Sequence, residues 1–145
     1  MKIKNKELYT KIISKNAHIS IIGLGYVGLP LLLALGKEGF EMTGIDIDNK
    51  KISDLKKNKS YISDISNNEL LNNLNSIKNV NFSSTYDSIN TSDVIIICVP
   101  TPLNKTKDPD ISYIINATEQ LAKYSLKNKL ISVESTVYPG ATEEL

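Results

Sequence analysis

Arginine is absent from this chain: every basic residue is a lysine. Planar, bidentate clamping of phosphate is the usual work of a guanidinium, so any phosphate bound here must be held by backbone N–H groups and lysine point charges. Tryptophan is also missing, and there is one histidine and one cysteine. A single thiol, Cys98, excludes an internal disulfide and fits a reducing compartment. No apolar run approaches the roughly 20 residues of a membrane-crossing helix, and the lysine-rich start lacks the apolar centre of a secretion signal. Formal charge is +1 with both signs scattered, so there is no basic stripe to serve nucleic acid or an anionic membrane. A cytoplasmic protein with no nucleic-acid or membrane partner and no metal is expected. At 145 residues the chain has the length of one ordinary domain.

What is present centres on residues 19–30, where the apolar run Ile19-Ser20-Ile21-Ile22 breaks into Gly23, Gly25 and Gly28 and resumes as a leucine-rich segment. This reads as a buried strand, a phosphate-cradling turn and a helix. Gly23 permits the sharp turn, Gly25 lets backbone approach a pyrophosphate, and Gly28 lets helix pack closely on strand. The helix directs its free N–H groups and positive dipole end at the ligand. Pro30 falls within the first turn, where a missing N–H costs little. Glycines alone are a weak signal, but Met42-Thr43-Gly44-Ile45-Asp46 follows as a second strand ending in a carboxylate. That is close to the roughly 20-residue spacing at which an acid meets the adenosine ribose, so a dinucleotide site is expected.

The rest reads as alternating helices and strands. Residues 1–17 form a short amphipathic helix with Leu8, Ile12 and Ile13 among lysines, and residues 18–145 form the remaining domain. His18 precedes the first strand with no catalytic partner implied by spacing. The first long helix runs from about 26 to 37 and ends at Gly39. Asp48-Asn49 caps a helix over 50–57 with Ile52 and Leu55 inward, and Ser66 to Glu69 is a capping box ahead of Leu70, Leu71 and Leu74 on one face. Residues 80–83 form a third strand and 86–89 a single turn. The β-branched run 94–99 suits a strand covered on both faces, with Cys98 buried and inert inside it. A helix over 111–123 and a strand over 130–134 complete a doubly wound parallel α/β sheet, a Rossmann fold. Ligands bind beyond the carboxyl ends of such strands, so the Gly23 turn, residues 99–103 and residues 135–140 should converge on one crevice.

Three motifs in order make the sequence more specific: Gly23-Leu24-Gly25-Tyr26-Val27-Gly28-Leu29-Pro30, Val99-Pro100-Thr101-Pro102-Leu103, and residues 134–144 from Glu134-Ser135-Thr136 onward. Together they resemble the N-terminal NAD-binding domain of the UDP-glucose/UDP-mannuronate dehydrogenase family, most of all bacterial UDP-N-acetyl-hexosamine 6-dehydrogenases of capsule and O-antigen synthesis. The resemblance implies that Gly23, Leu24, Gly25, Tyr26, Val27 and Gly28 lie along the cofactor. Asp46 would bind the adenosine ribose, with Lys51 at the adenosine end. Thr101, flanked by Val99, Pro100 and Pro102, would sit by the ribose and phosphates. Ser135 and Thr136 would lie by the nicotinamide, Thr136 serving catalysis by orienting a water.

Members of that family oxidise a sugar hydroxymethyl group twice, using two NAD and a cysteine thioester. The resemblance implies that the nucleophilic cysteine and the central and C-terminal substrate domains lie beyond residue 145, and that a homodimer forms through the central helix. This chain alone is then expected to be inactive. UDP-glucose 6-dehydrogenase remains an alternative, as does a non-catalytic Rossmann domain that senses a nucleotide and gates a partner.

Asp46 would accept bonds from both ribose hydroxyls, whereas a 2′-phosphate would set negative charge against it with no arginine to offset the repulsion. NAD should therefore bind more tightly than NADP in calorimetric titration, and equal affinities would refute this. Asp46→Ala should weaken NAD by about 1.5 to 3 kcal/mol.

Overall fold

The computed structural model describes residues 5–102 and 109–136. Five parallel strands, β1 (His18–Ile22), β2 (Glu41–Ile45), β3 (Val80–Ser83), β4 (Val94–Ile97) and β5 (Leu130–Val133), form one sheet in the order β3-β2-β1-β4-β5. Ile19 stands opposite Met42 on one side and Val94 on the other, so β1 is central and the order in which successive strands join the sheet reverses beside it. The sequence-expected doubly wound α/β fold is the one observed.

Side-chain alternation builds two apolar layers. Ile19, Ile21, Val94 and Ile96 face α2 (Gly28–Lys37), α3 (Asn49–Lys56) and α4 (Asn67–Ser76), meeting Leu29, Leu32, Leu55 and Leu70. Ile22, Ile45, Ile95 and Ile97 pack the other way with Ala117 and Leu121 of α5 (Ser112–Leu121). A strand whose residues are buried on both faces tends to a continuous apolar run, and β4 is one. The edge is different: Leu130 and Ile131 of β5 are 46% and 39% exposed.

The caps follow the chemistry of the sequence. Asp48 accepts from the Lys50 and Lys51 N–H groups at the start of α3, and Ser66 accepts from Glu69 N–H at α4. Gly39, at φ +101, follows α2 in the conformation that glycine tolerates best. Some expectations need correction. Leu71 is exposed, because α4 covers the sheet with only the Leu70 and Leu74 side of the helix. Ile13 is 64% exposed, while Leu8 and Ile12 of α1 (Lys6–Ile13) reach the core. His18 is the first residue of β1 and does find partners, Thr43 Oγ1 at 2.9 Å and Thr91 Oγ1 at 3.3 Å, at the end of the sheet remote from the glycines.

Asp93 ties α1 to the sheet. Its carboxylate accepts from Lys11 Nζ at 2.7 Å and from the His18 N–H at 3.0 Å. Burial pushes this carboxyl up, but the Lys11 ammonium, the His18 N–H and the Lys129 charge outweigh it and hold it below the usual range. With the folded value below the unfolded one, its contribution is complete above the unfolded pKa and disappears as pH falls through the folded one. Asp93→Asn should cost about 1 kcal/mol at neutral pH in urea unfolding, and the gap to wild type should narrow and close as the pH falls below the ordinary carboxylate range.

Candidate functional site

The glycine turn is shaped by three contacts of unlike character. Gly23 has φ +90 and donates its N–H to Ile45 O at 2.8 Å, and a Cβ there would stand 2.7 Å from the Cys98 carbonyl oxygen. At Gly28 a Cβ would lie 1.8 Å from the Gly23 carbonyl oxygen, so only glycine lets α2 start this close to the end of β1. Around Gly25 a Cβ would meet nothing within 4 Å. Two glycines thus serve packing inside the protein, and the third faces open space.

The N-cap of α2, Val27, supplies no side-chain hydrogen bond, and no acidic residue occupies the helix's first turn. The positive end of the dipole is therefore uncompensated by side chains beside Gly25. Leu24 has its side chain fully buried, so its contribution to a ligand is through backbone alone.

Asp46, just past β2, is 6% exposed. Its Oδ2 accepts from the Leu24 N–H at 2.9 Å and from Lys51 Nζ at 3.0 Å, and its Oδ1 accepts from the Asp48 N–H at 3.0 Å. A buried carboxylate needs such partners, and these three fix its direction. From the other side, Tyr61 Oη donates to the Leu24 carbonyl at 2.6 Å. Burial, then the carboxylates of Asp46, Asp48 and Asp54, push the Tyr61 phenol up, so it remains a neutral donor. The Lys51 ammonium also lies 5.7 Å from the centre of the Tyr61 ring.

Two cavities open beside the turn. One, of about 670 Å³, is bordered by Gly25, Val27, Tyr61, Thr101, Ser135 and Thr136. The other, of about 680 Å³, is bordered by Asp46, Tyr86, Tyr113, Gln120 and Tyr124. Lys51, Val99 and Pro100 border both. Ser135 Oγ donates to the Val99 carbonyl at 2.7 Å, joining the ends of β4 and β5. The expected convergence is thus present for the turn, residues 99–101 and residues 135–136. Pro102 is exposed and borders neither cavity. Leu103 and residues 137–144 lie outside the described residues.

Cys98 borders the first cavity but is 7% exposed, and burial followed by the Glu134 charge pushes its thiol up to about 11. At neutral pH it is a thiol, not a nucleophilic thiolate. Tyr61 and the tyrosines of the second cavity escaped sequence reasoning. Tyr113, Asn116, Gln120 and Tyr124, spaced by three or four along and just beyond α5, line one side of that cavity. Their helical repeat was the available signal.

An extended dinucleotide fits these residues. The open backbone at Gly25 can meet a pyrophosphate, Asp46 offers a carboxylate to a ribose, and a cavity lies to either side for the two bases. Sheet order, glycine turn and strand-end carboxylate define a dinucleotide-binding Rossmann domain. Residues 17–145 match the UDP-glucose/GDP-mannose dehydrogenase family, NAD binding domain, and the chain belongs to that family; its cofactor is NAD. It is similar to protein CapL of Staphylococcus aureus, with 37% identity over 89% of this chain and 29% of that protein. It is 34% identical to UDP-N-acetyl-D-glucosamine 6-dehydrogenase of Pseudomonas aeruginosa, over 90% of this chain and 30% of the enzyme. The solved UDP-N-acetyl-mannosamine dehydrogenase Cap5O of Staphylococcus aureus superimposes with a TM-score of 0.78 at 31% identity, covering 89% of this chain and 31% of its own. The chain spans about three-tenths of the length of these relatives.

Gly25→Val should leave the fold intact, since its Cβ has open space, yet abolish NAD binding by filling that space. Circular dichroism and calorimetry together read the two effects. Undiminished affinity in the folded variant would show that the phosphates bind elsewhere.

Proposed function

We propose that this domain holds NAD for the oxidation of the C6 hydroxymethyl group of a UDP-N-acetyl-hexosamine to a carboxylate, supplying a precursor of capsule or O-antigen polysaccharide in the cytoplasm. The observation that carries this reading is the open Gly25 backbone on the wall of the first cavity, with Asp46, directed by its three donors, on the wall of the second, in a chain of this family. The names of its relatives support the class of sugar.

When bound, NAD supplies the hydride acceptor. The residues of this chain bind and orient. Backbone N–H groups from Gly25 into α2 hold the pyrophosphate without arginine, and the α2 dipole adds to their attraction. Asp46 accepts from the adenosine ribose hydroxyls, and Lys51, five residues on, lies at the adenosine end and balances the carboxylate. The adenine takes the tyrosine-bordered cavity, where Tyr113 and Tyr124 offer aromatic surface. Thr101 serves the ribose and phosphates, and Ser135 and Thr136 the nicotinamide, with Thr136 orienting the water that hydrolyses the thioester to the carboxylate.

Passing from alcohol to carboxylate requires a nucleophile to hold the aldehyde stage, and Cys98 is too deeply buried and too weakly acidic to serve. That nucleophile, the sugar-nucleotide pocket and the homodimer contact belong, in this reading, to the part of the protein corresponding to the remaining length of the relatives. The chain by itself should bind NAD and yield no NADH absorbance with UDP-N-acetylglucosamine, UDP-N-acetylmannosamine, UDP-N-acetylgalactosamine or UDP-glucose. A steady signal proportional to protein would overturn this assignment of roles.

A further inference from the structure

Tyr61 stands in the segment between α3 and α4 and reaches back 37 residues to the glycine turn. The segment is anchored on both sides of it. Lys59 N–H bonds the Asp54 carbonyl at 2.8 Å, Ser60 N–H bonds Asn67 Oδ1 at 2.7 Å, and Ile62 and Ile65 are buried in the larger core. The phenol is therefore delivered from a fixed platform.

Its acceptor, the Leu24 carbonyl, belongs to the same peptide group as the Gly25 N–H. A trans peptide is planar, so fixing its oxygen also fixes its N–H, which points the opposite way. Leu24 itself is held at two more points, by its buried side chain and by its own N–H on Asp46. Gly25 has no side chain and no neighbour within 4 Å of where one would begin, and among the described residues its only backbone bond holds its own carbonyl, on the Leu29 N–H at 3.1 Å, one peptide further along. The Tyr61 hydroxyl is the side-chain restraint that acts on the Leu24–Gly25 plane itself.

We propose that Tyr61 is a positioning residue for the cofactor: by donating to the Leu24 carbonyl it fixes the Leu24–Gly25 peptide plane and keeps the turn in its phosphate-receiving shape before NAD arrives. Its ring also lies beside the Lys51 ammonium, which bonds Asp46, so the pyrophosphate turn and the ribose carboxylate are tied to one aromatic side chain. The proposal rests on the reading of the turn as the pyrophosphate site.

Tyr61→Phe tests it, because the variant removes the hydroxyl and keeps the ring and its packing. Without ligand, the Gly25 amide resonance in a nitrogen–proton NMR spectrum should shift and broaden in the variant, with the remote His18 and Thr43 amides unchanged. With ligand, NAD affinity by calorimetry should fall roughly three- to tenfold, the worth of one lost restraining hydrogen bond, while adenosine, which has no pyrophosphate, should bind equally to both proteins. An unmoved Gly25 amide, or NAD affinity equal to that of wild type, overturns the proposal. So does a lowered melting temperature with unchanged affinity, or an equal loss for adenosine and NAD. If wild type fails to bind NAD, the pyrophosphate reading falls, and the ligand-free spectra still decide whether Tyr61 holds the peptide.

Discussion

The approach of Gly28 to the Gly23 carbonyl, close enough that a Cβ would stand 1.8 Å from its oxygen, is the constraint on which the rest of the site depends. It brings the first turn of α2 against the end of the central strand, so the helix dipole and the strand-end crevice coincide. Were the helix displaced outward by a side chain at this point, the N–H groups following Gly25 would no longer border the cavity. The same closeness requires Gly23 to turn at φ +90 against the Cys98 backbone, which couples the turn to β4 as well as to β2. Position of β1 between β2 and β4 makes this possible, since both neighbours then contribute walls to one crevice.

A second layer of control is electrostatic. Asp46 is a buried carboxylate whose charge is met by one ammonium and two peptide N–H groups. Ion pairs of this kind contribute little net stability once desolvation is counted, and their value lies in fixing direction. Here the direction fixed is that of a carboxylate at the rim of a cavity, joined through Leu24 to the phosphate turn. With no arginine in the chain, the proposed anion recognition falls to peptide N–H groups and lysines, and the accuracy of the peptide groups depends on how firmly each plane is held.

Local chemistry made much of this legible in the sequence. The β-branched run at 94–97, the Asp48 and Ser66 caps, and Gly39 each act through neighbours in the chain, and each appears as expected. The distinct duties of Gly23 and Gly28 were also readable, because the spacing of the motif reflects the geometry of strand, turn and helix. Contacts across long separations were not. Tyr61 lies in a segment of turn-forming residues, and nothing nearby in sequence indicates that its hydroxyl finds Leu24. Leu71 looked apolar enough for the core, but burial depends on which side of α4 meets the sheet. The tyrosines of the second cavity come from α5 and from the loop after β3, and only the sheet order brings them to face each other.

A crystal structure of this chain with NAD is the most direct test of the central claim that the glycine turn, held by Asp46 and Tyr61, receives the pyrophosphate. The account predicts pyrophosphate oxygens on the N–H groups between Gly25 and Gly28, the adenosine ribose on Asp46, and adenine in the cavity bordered by Tyr113 and Tyr124. A pyrophosphate seated away from Gly25, with the Leu24–Gly25 peptide turned from its present direction, would contradict it.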